Sequence, residues 1–190
     1  YLVITGNPAG APGGCGHFDF GDGTPGVVTD GPAFVAALRP GYYVEPFTQP
    51  PPRGTEQRID FSKNGYAYSV TPAGTSARLR YVTDTHGAYT ALSVVATSAS
   101  RSMRIRFAGL PVNAIGGIFG FVTGPFQSQG TLTVSIRSGT RVTTYSIRGS
   151  TSFNGFGSRD RIDEIVISSA SPISGNQIMD NLIVGWADAP

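Results

Sequence analysis

Residues 131–147 read "TLTVSIRSGTRVTTYSI", and their alternation decides the fold. Successive side chains of a strand point to opposite faces, so Leu132, Val134 and Ile136 share one face and Thr133, Ser135 and Arg137 the other. The pattern breaks near Ser138-Gly139-Thr140 and then resumes, which predicts a hairpin. One dry and one wet face per strand is the mark of antiparallel sheets packed as a sandwich.

The same period recurs along the chain. "SMRIRFAG" (102–109) sets Met103, Ile105 and Phe107 against Arg104 and Arg106. "ARLRYVT" (77–83) sets Leu79 and Tyr81 against Arg78 and Arg80. "AIGGIFGFVTG" (114–124) is apolar on both sides and predicts a central strand, with a close neighbour or a bulge at Gly116-Gly117. A single helix is expected near 31–39 in "TDGPAFVAALRPG", where Asp30 caps, Pro32 fits the first turn and Pro40-Gly41 stops it. "EPFTQPPPRGTEQ" (45–57) reads as a proline-rich surface loop. The 26 glycines and 14 prolines suit a many-turned β fold, and no repeat of 20–50 residues points to a solenoid or propeller. The expectation is an all-β antiparallel sandwich, jelly-roll-like, with that one short helix.

With 190 residues the chain can bury one real core. We read 17–190 as a single β-sandwich domain and 1–16 as an N-terminal strand, "YLVITGN", on the glycine- and proline-rich tether "PAGAPGGCG". A tethered apolar strand can pair within its own domain or add to a neighbour's sheet. The net charge of +2 and dispersed arginines argue against a nucleic-acid partner. No apolar run approaches the ~20 residues of a membrane helix, so insertion is not expected. No leader is visible, so for an exported chain the leader has been removed or is not included in this sequence. Cys15 alone forms no internal disulfide and leaves a thiol open to intermolecular pairing.

Catalytic motifs fail on context. The D-F-G at Asp19-Phe20-Gly21 has only 18 residues before it, too few for the loop, lysine and H-R-D segment a kinase needs. His17 and His86 are the only histidines, and no G-x-S-x-G elbow accompanies them. The three glutamates, Glu45, Glu56 and Glu164, sit in no telling motif, and Asp163 and Glu164 point to opposite faces of a strand. The outward arginines read as a solvated sheet face.

Binding groups are better supplied. Stacking on a sugar ring needs exposed aromatic rings; Tyr42, Tyr43, Tyr66, Tyr68, Tyr89 and Trp186 are candidates, with Tyr66 and Tyr68 on one face of "NGYAYSV". Calcium wants several hard oxygens. Asp180-Asn181 interrupt the apolar "QIMDNLIVG", and Asp19 would meet Asp180 across an ion if the first and last strands are neighbours. The alternative is that both aspartates only tie down backbone.

Phe153-Asn154-Gly155-Phe156, the run Ile162, Ile165 and Ile167, and the closing Asp180-Asn181-Leu182 with Gly185 resemble secreted bacterial β-sandwich domains of PEP-CTERM-type surface proteins. "FDFGDGTPG" (18–26) is similar to the start of the same layout, and "WADAP" departs from it by lacking a Pro-Glu-Pro signal and anchor. The resemblance implies export to the cell surface or matrix and a non-catalytic role. From related carbohydrate-binding jelly rolls it implies a structural calcium, carried over to Asp19, Asp180 and Asn181. The leading expectation is an extracellular structural or adhesive protein, assembling with copies of itself or other surface proteins through its N-terminal strand. The alternatives are a carbohydrate-binding module using Tyr66, Tyr68 or Trp186 with a structural calcium, and a glycan-active enzyme.

Overall fold

A computed structural model of the chain describes residues 26–49, 55–73, 77–83, 89–95, 102–123, 126–128, 130–149, 152–169 and 176–188. The expected N-terminal strand and tether, Cys15, His17, Asp19 and His86 lie outside the described residues. So do the strand-donation and shared-ion expectations that depend on them.

The chain forms β1 (Gly26–Val28), α1 (Gly31–Ala36), β2 (Tyr43–Glu45), β3 (Ile59–Lys63), β4 (Tyr66–Pro72), β5 (Arg78–Thr83) and β6 (Tyr89–Val95). It continues through β7 (Ser102–Gly109), β8 (Ala114–Thr123), β9 (Phe126–Ser128), β10 (Gly130–Ser138) and β11 (Arg141–Gly149). β12 (Phe153–Gly157), β13 (Glu164–Ser169) and β14 (Asn176–Gly185) complete it. An eight-stranded sheet runs β1-β12-β8-β14-β6-β5, with β2 against β14 and β9 against β8. A six-stranded sheet runs β11-β10-β13-β7-β4-β3. The ladders are antiparallel throughout. The expected all-β sandwich with one short helix is what the chain adopts.

Alternation places the core. Leu132, Val134 and Ile136, with Ile165 and Ile167, Met103 and Ile105, are buried and meet Leu79, Leu92, Phe119 and Met179 of the other sheet. The β10–β11 hairpin turns at Gly139-Thr140, where Gly139 takes the positive φ that a tight turn requires.

A second, smaller cluster lies on the far side of the eight-stranded sheet, where Phe34 and Leu38 pack on Ala114, Ile183 and Ala187. Gly116 and Gly155 clear room for the Phe34 and Phe153 rings, which sit 5.2 Å apart; a methyl at either glycine would collide with one of them. Gly116-Gly117 therefore mark close approach. The bulge itself falls on the facing strand β14, between Asp180 and Ile183.

The helix is shorter than expected. Asp30 does cap it, accepting from the Ala33 amide at 3.1 Å. It ends at Ala36 because Leu38 bridges Ala187 and the Arg39 amide donates to the Trp186 carbonyl at 2.8 Å. The loop after β2 also departs from expectation: Phe47 is fully buried, edge-on to Phe61 at 5.6 Å, so this part of the loop belongs to the core.

Candidate functional site

The outer face of the six-stranded sheet is built from the polar halves of the alternating strands. Register aligns these side chains into rows across the strands. One row runs Val142, Arg137, Glu164, Arg106, Ser69, Asp60 from β11 to β3. The next runs Thr144, Ser135, Val166, Arg104, Thr71, and a third Ser146, Thr133, Ser168, Ser102. Neighbours within a row stand about 4.8 Å apart, and rows about 7 Å apart. The hydroxyls of Ser135 and Thr144 share a hydrogen bond at 3.1 Å. At the β10–β11 end lies a hollow of about 410 Å³, lined by Gly130, Thr131, Ser146, Ile147 and Arg148.

Glu164 is the centre of this face. Its Oε2 accepts from Arg106 Nε at 2.6 Å and lies 3.5 Å from Arg104 Nε and 3.7 Å from Arg137 Nη2. The Glu164 side chain is 12 % exposed, whereas those of Arg104, Arg106 and Arg137 are 45, 60 and 41 % exposed. Burial pushes the carboxyl pKa up, but the Arg106 hydrogen bond and the three guanidinium charges outweigh it and hold it below the usual range. A carboxylate clamped in this way is a weak base. Its neighbour Asp163 accepts from the Gly139 amide at 2.7 Å and pairs with Arg161 at 3.5 Å.

The sequence-predicted stacking residues fall elsewhere. Tyr66 and Tyr68 do share a face of β4, but it is the inner one: they are 6 % and 2 % exposed. Tyr68 stacks on Phe61 at 4.9 Å and 16°, within a cluster that includes Tyr43 and Phe107. Neither ring is offered to a ligand. The alternate positions, Ala67 and Ser69, are half-exposed, and their small size beside two large rings was the signal that the tyrosines form the dry face. Tyr43 is buried too; its hydroxyl donates to Glu45, whose other oxygen accepts from the Phe47 amide at 2.9 Å. Burial, reinforced by Glu45, pushes Tyr81 up to about 12 and raises Tyr43 as well. Tyr42 is half-buried against the helix-side cluster, and the Tyr89 side chain lies outside the described residues. Trp186 is half-buried just after β14, beside the Arg39–Asp188 ion pair.

Asp180 and Asn181 occupy the β14 bulge, where the strand's other edge changes partner from β6 to β2. Asn181 takes a φ of 49°, a left-handed conformation that asparagine tolerates better than most residues. Asp180 is mostly shielded, and burial pushes its carboxyl up to about 6 against the lowering effect of its hydrogen bonds with Asn181. Among the described residues no three His, Cys, Asp or Glu side chains gather as a metal site. No helix among them is long and apolar enough to cross a membrane.

The arginine–glutamate centre was half visible in the sequence. Arg104, Arg106 and Arg137 stood out as outward residues, but only the register of β10, β13 and β7 brings them onto one carboxylate.

No protein-family model matches the chain, and no curated protein does. Among solved structures the chain is similar to a family 29 carbohydrate-binding module from Piromyces equi, at 14 % identity over 75 % of this chain and 88 % of that one, with a TM-score of 0.43. It is similar to the family 11 module of a cellulosomal cellulase of Clostridium thermocellum, at 16 % identity over 64 % and 89 % of the chains and a TM-score of 0.37. A family 11 module from Clostridium thermocellum in complex with a β-1,3-1,4-mixed-linked tetrasaccharide aligns at 16 % identity over 68 % and 96 %, with a TM-score of 0.34. At these identities and scores the likeness assigns no role to any residue here.

Proposed function

We propose that this chain is a non-catalytic glycan-binding module that holds a saccharide chain across the outer face of the six-stranded sheet. One observation carries the reading: serine, threonine and arginine side chains stand in register across that face, on a backbone fixed by its ladders. Saccharide hydroxyls donate and accept; Ser and Thr do the same, and Arg adds fixed donors. Sheet-borne groups keep their spacing, so a polymer binds with little ordering cost in the protein. Polymeric glycans of walls and matrices lie outside cells, so the reading implies an exported chain.

The test is affinity electrophoresis of the whole chain through gels containing neutral and acidic polysaccharides. At least one polysaccharide retards the protein, and a Thr133→Ala/Ser135→Ala double variant is retarded less while still unfolding in one cooperative transition well above the assay temperature. Each lost hydrogen bond is worth about 0.5–1.5 kcal/mol, so the pair weakens binding by roughly fivefold to a hundredfold. Migration unaffected by every polysaccharide sinks the reading.

A further inference from the structure

We infer that the ligand of this face is an acidic glycan whose carboxylate or sulfate groups are taken by Arg104, Arg106 and Arg137 around Glu164; this rests on the glycan-binding reading above. Charge makes the first argument. Three guanidinium groups converge on one carboxylate, so three positive charges less one negative leaves an excess of two at a single spot. The other acidic groups nearby have partners of their own: Asp163 is held by Arg161 and the Gly139 amide, and Asp60 at the sheet edge by Arg58 at 2.8 Å.

Geometry makes the second argument. All three arginines reach the same oxygen, Oε2, so Glu164 acts as a central post that restrains three long side chains before a ligand arrives. At closest approach each guanidinium spends one nitrogen on that post, out of the five N–H donors it carries. Arg137 and Arg106 rise from the strands on either side of β13 and bring guanidinium nitrogens to 3.7 and 2.6 Å from one oxygen, so a single acidic group of the ligand can meet both. Residue type makes the third. Lys63 is the only lysine among 14 basic residues, and the planar arginine fork matches carboxylate and sulfate oxygens pairwise. A nucleic acid fits less well, because base stacking needs exposed rings. The exposed large apolar residues among those described are Val44, Leu110 and Val142, none of them aromatic.

Calorimetric titration of the whole chain with four probes tests this: oligogalacturonate, its methyl ester, a chondroitin sulfate oligosaccharide, and single-stranded DNA of matched charge. Oligogalacturonate or the sulfated probe binds at least tenfold tighter than the neutral methyl ester, and the stronger of the two says whether carboxylate or sulfate is preferred. The affinity falls steeply with added salt. Arg106→Ala and Arg137→Ala each weaken it about tenfold, and Arg106→Lys recovers only part. Arg39→Ala, whose guanidinium pairs with Asp188 away from this face, leaves it unchanged. Glu164→Gln, which keeps the shape and removes the negative charge, tightens it. Equal binding of acid and methyl ester overturns the inference and leaves the glycan reading standing. Single-stranded DNA bound as tightly as the acidic probes overturns it in favour of a general polyanion surface. Retention by a neutral polysaccharide alone overturns it too, and no binding to any glycan overturns both.

Discussion

At Glu164 burial and charge act in opposite directions on one carboxyl, and the arginines win. Its folded pKa lies below the unfolded value of about 4.3, so the stability it contributes is fully present above that pH. That contribution is lost as pH falls through the folded value. Glu164→Gln therefore destabilises the protein at pH 7 by about 1 kcal/mol, a figure kept small because the arginines are screened by solvent. In urea titrations the gap between variant and parent closes as the pH falls through the carboxyl's lowered folded value, where the parent is protonated as well. A gap that persists undiminished in acid would mean that Glu164 contributes by packing. The strand pattern showed which way the three arginines point. It could not show that they share a carboxylate, because that depends on which strands pair and in what register.

Elements carry a different share of what the sequence disclosed. The β10–β11 hairpin, the β7 alternation and the capped helix were all readable, since each depends on local spacing and turn chemistry. Tyr66 and Tyr68 could stack on a ligand or pack across strands, and they pack: alternation says which residues share a face, and only the company on the other face says which side is wet. Phe47 was missed because a proline-rich loop gives no periodic signal for one buried ring. Of the two readings of Gly116-Gly117, the close neighbour holds, since Gly116 makes room for Phe34 and Phe153, and the bulge of this ladder lies on β14 instead. Asn181 is the residue that lets β14 change its phase, bringing both Met179 and Leu182 into the core. Asn181→Val forces a β-branched side chain into a left-handed conformation and costs about 1–3 kcal/mol. Asn181→Gly stays within about 0.5 kcal/mol of the parent. Equal urea midpoints for the two variants would show that the bulge can relax.

At the scale of the whole molecule, β14 joins parts of the chain that are far apart in sequence. It pairs with β8 along its length, with β6 through Gln177–Met179 and with β2 through Leu182–Val184. The β5–β6 hairpin is hydrogen-bonded into the eight-stranded sheet through β14. No local pattern announces such pairings, which is why the sandwich class was legible and its strand order was not. Gln177 adds a tie between the sheets, its side-chain amide donating to the Ile167 carbonyl at 3.1 Å. Met179 sits at the centre of this arrangement, fully buried, with Leu92 and Phe119 opposite it on the flanking strands. Met179→Ala removes about 2–5 kcal/mol of packing and leaves a cavity that both sheets line. If the two sheets unfold as one cooperative unit, the variant shows a single transition at lower urea, identical by far-ultraviolet dichroism and by Trp186 fluorescence. Trp186 is the only tryptophan, so its emission reports on the end of β14, whereas dichroism averages over both sheets. Separated midpoints would show that the six-stranded sheet, with its arginine face, keeps its structure after β14 has let go.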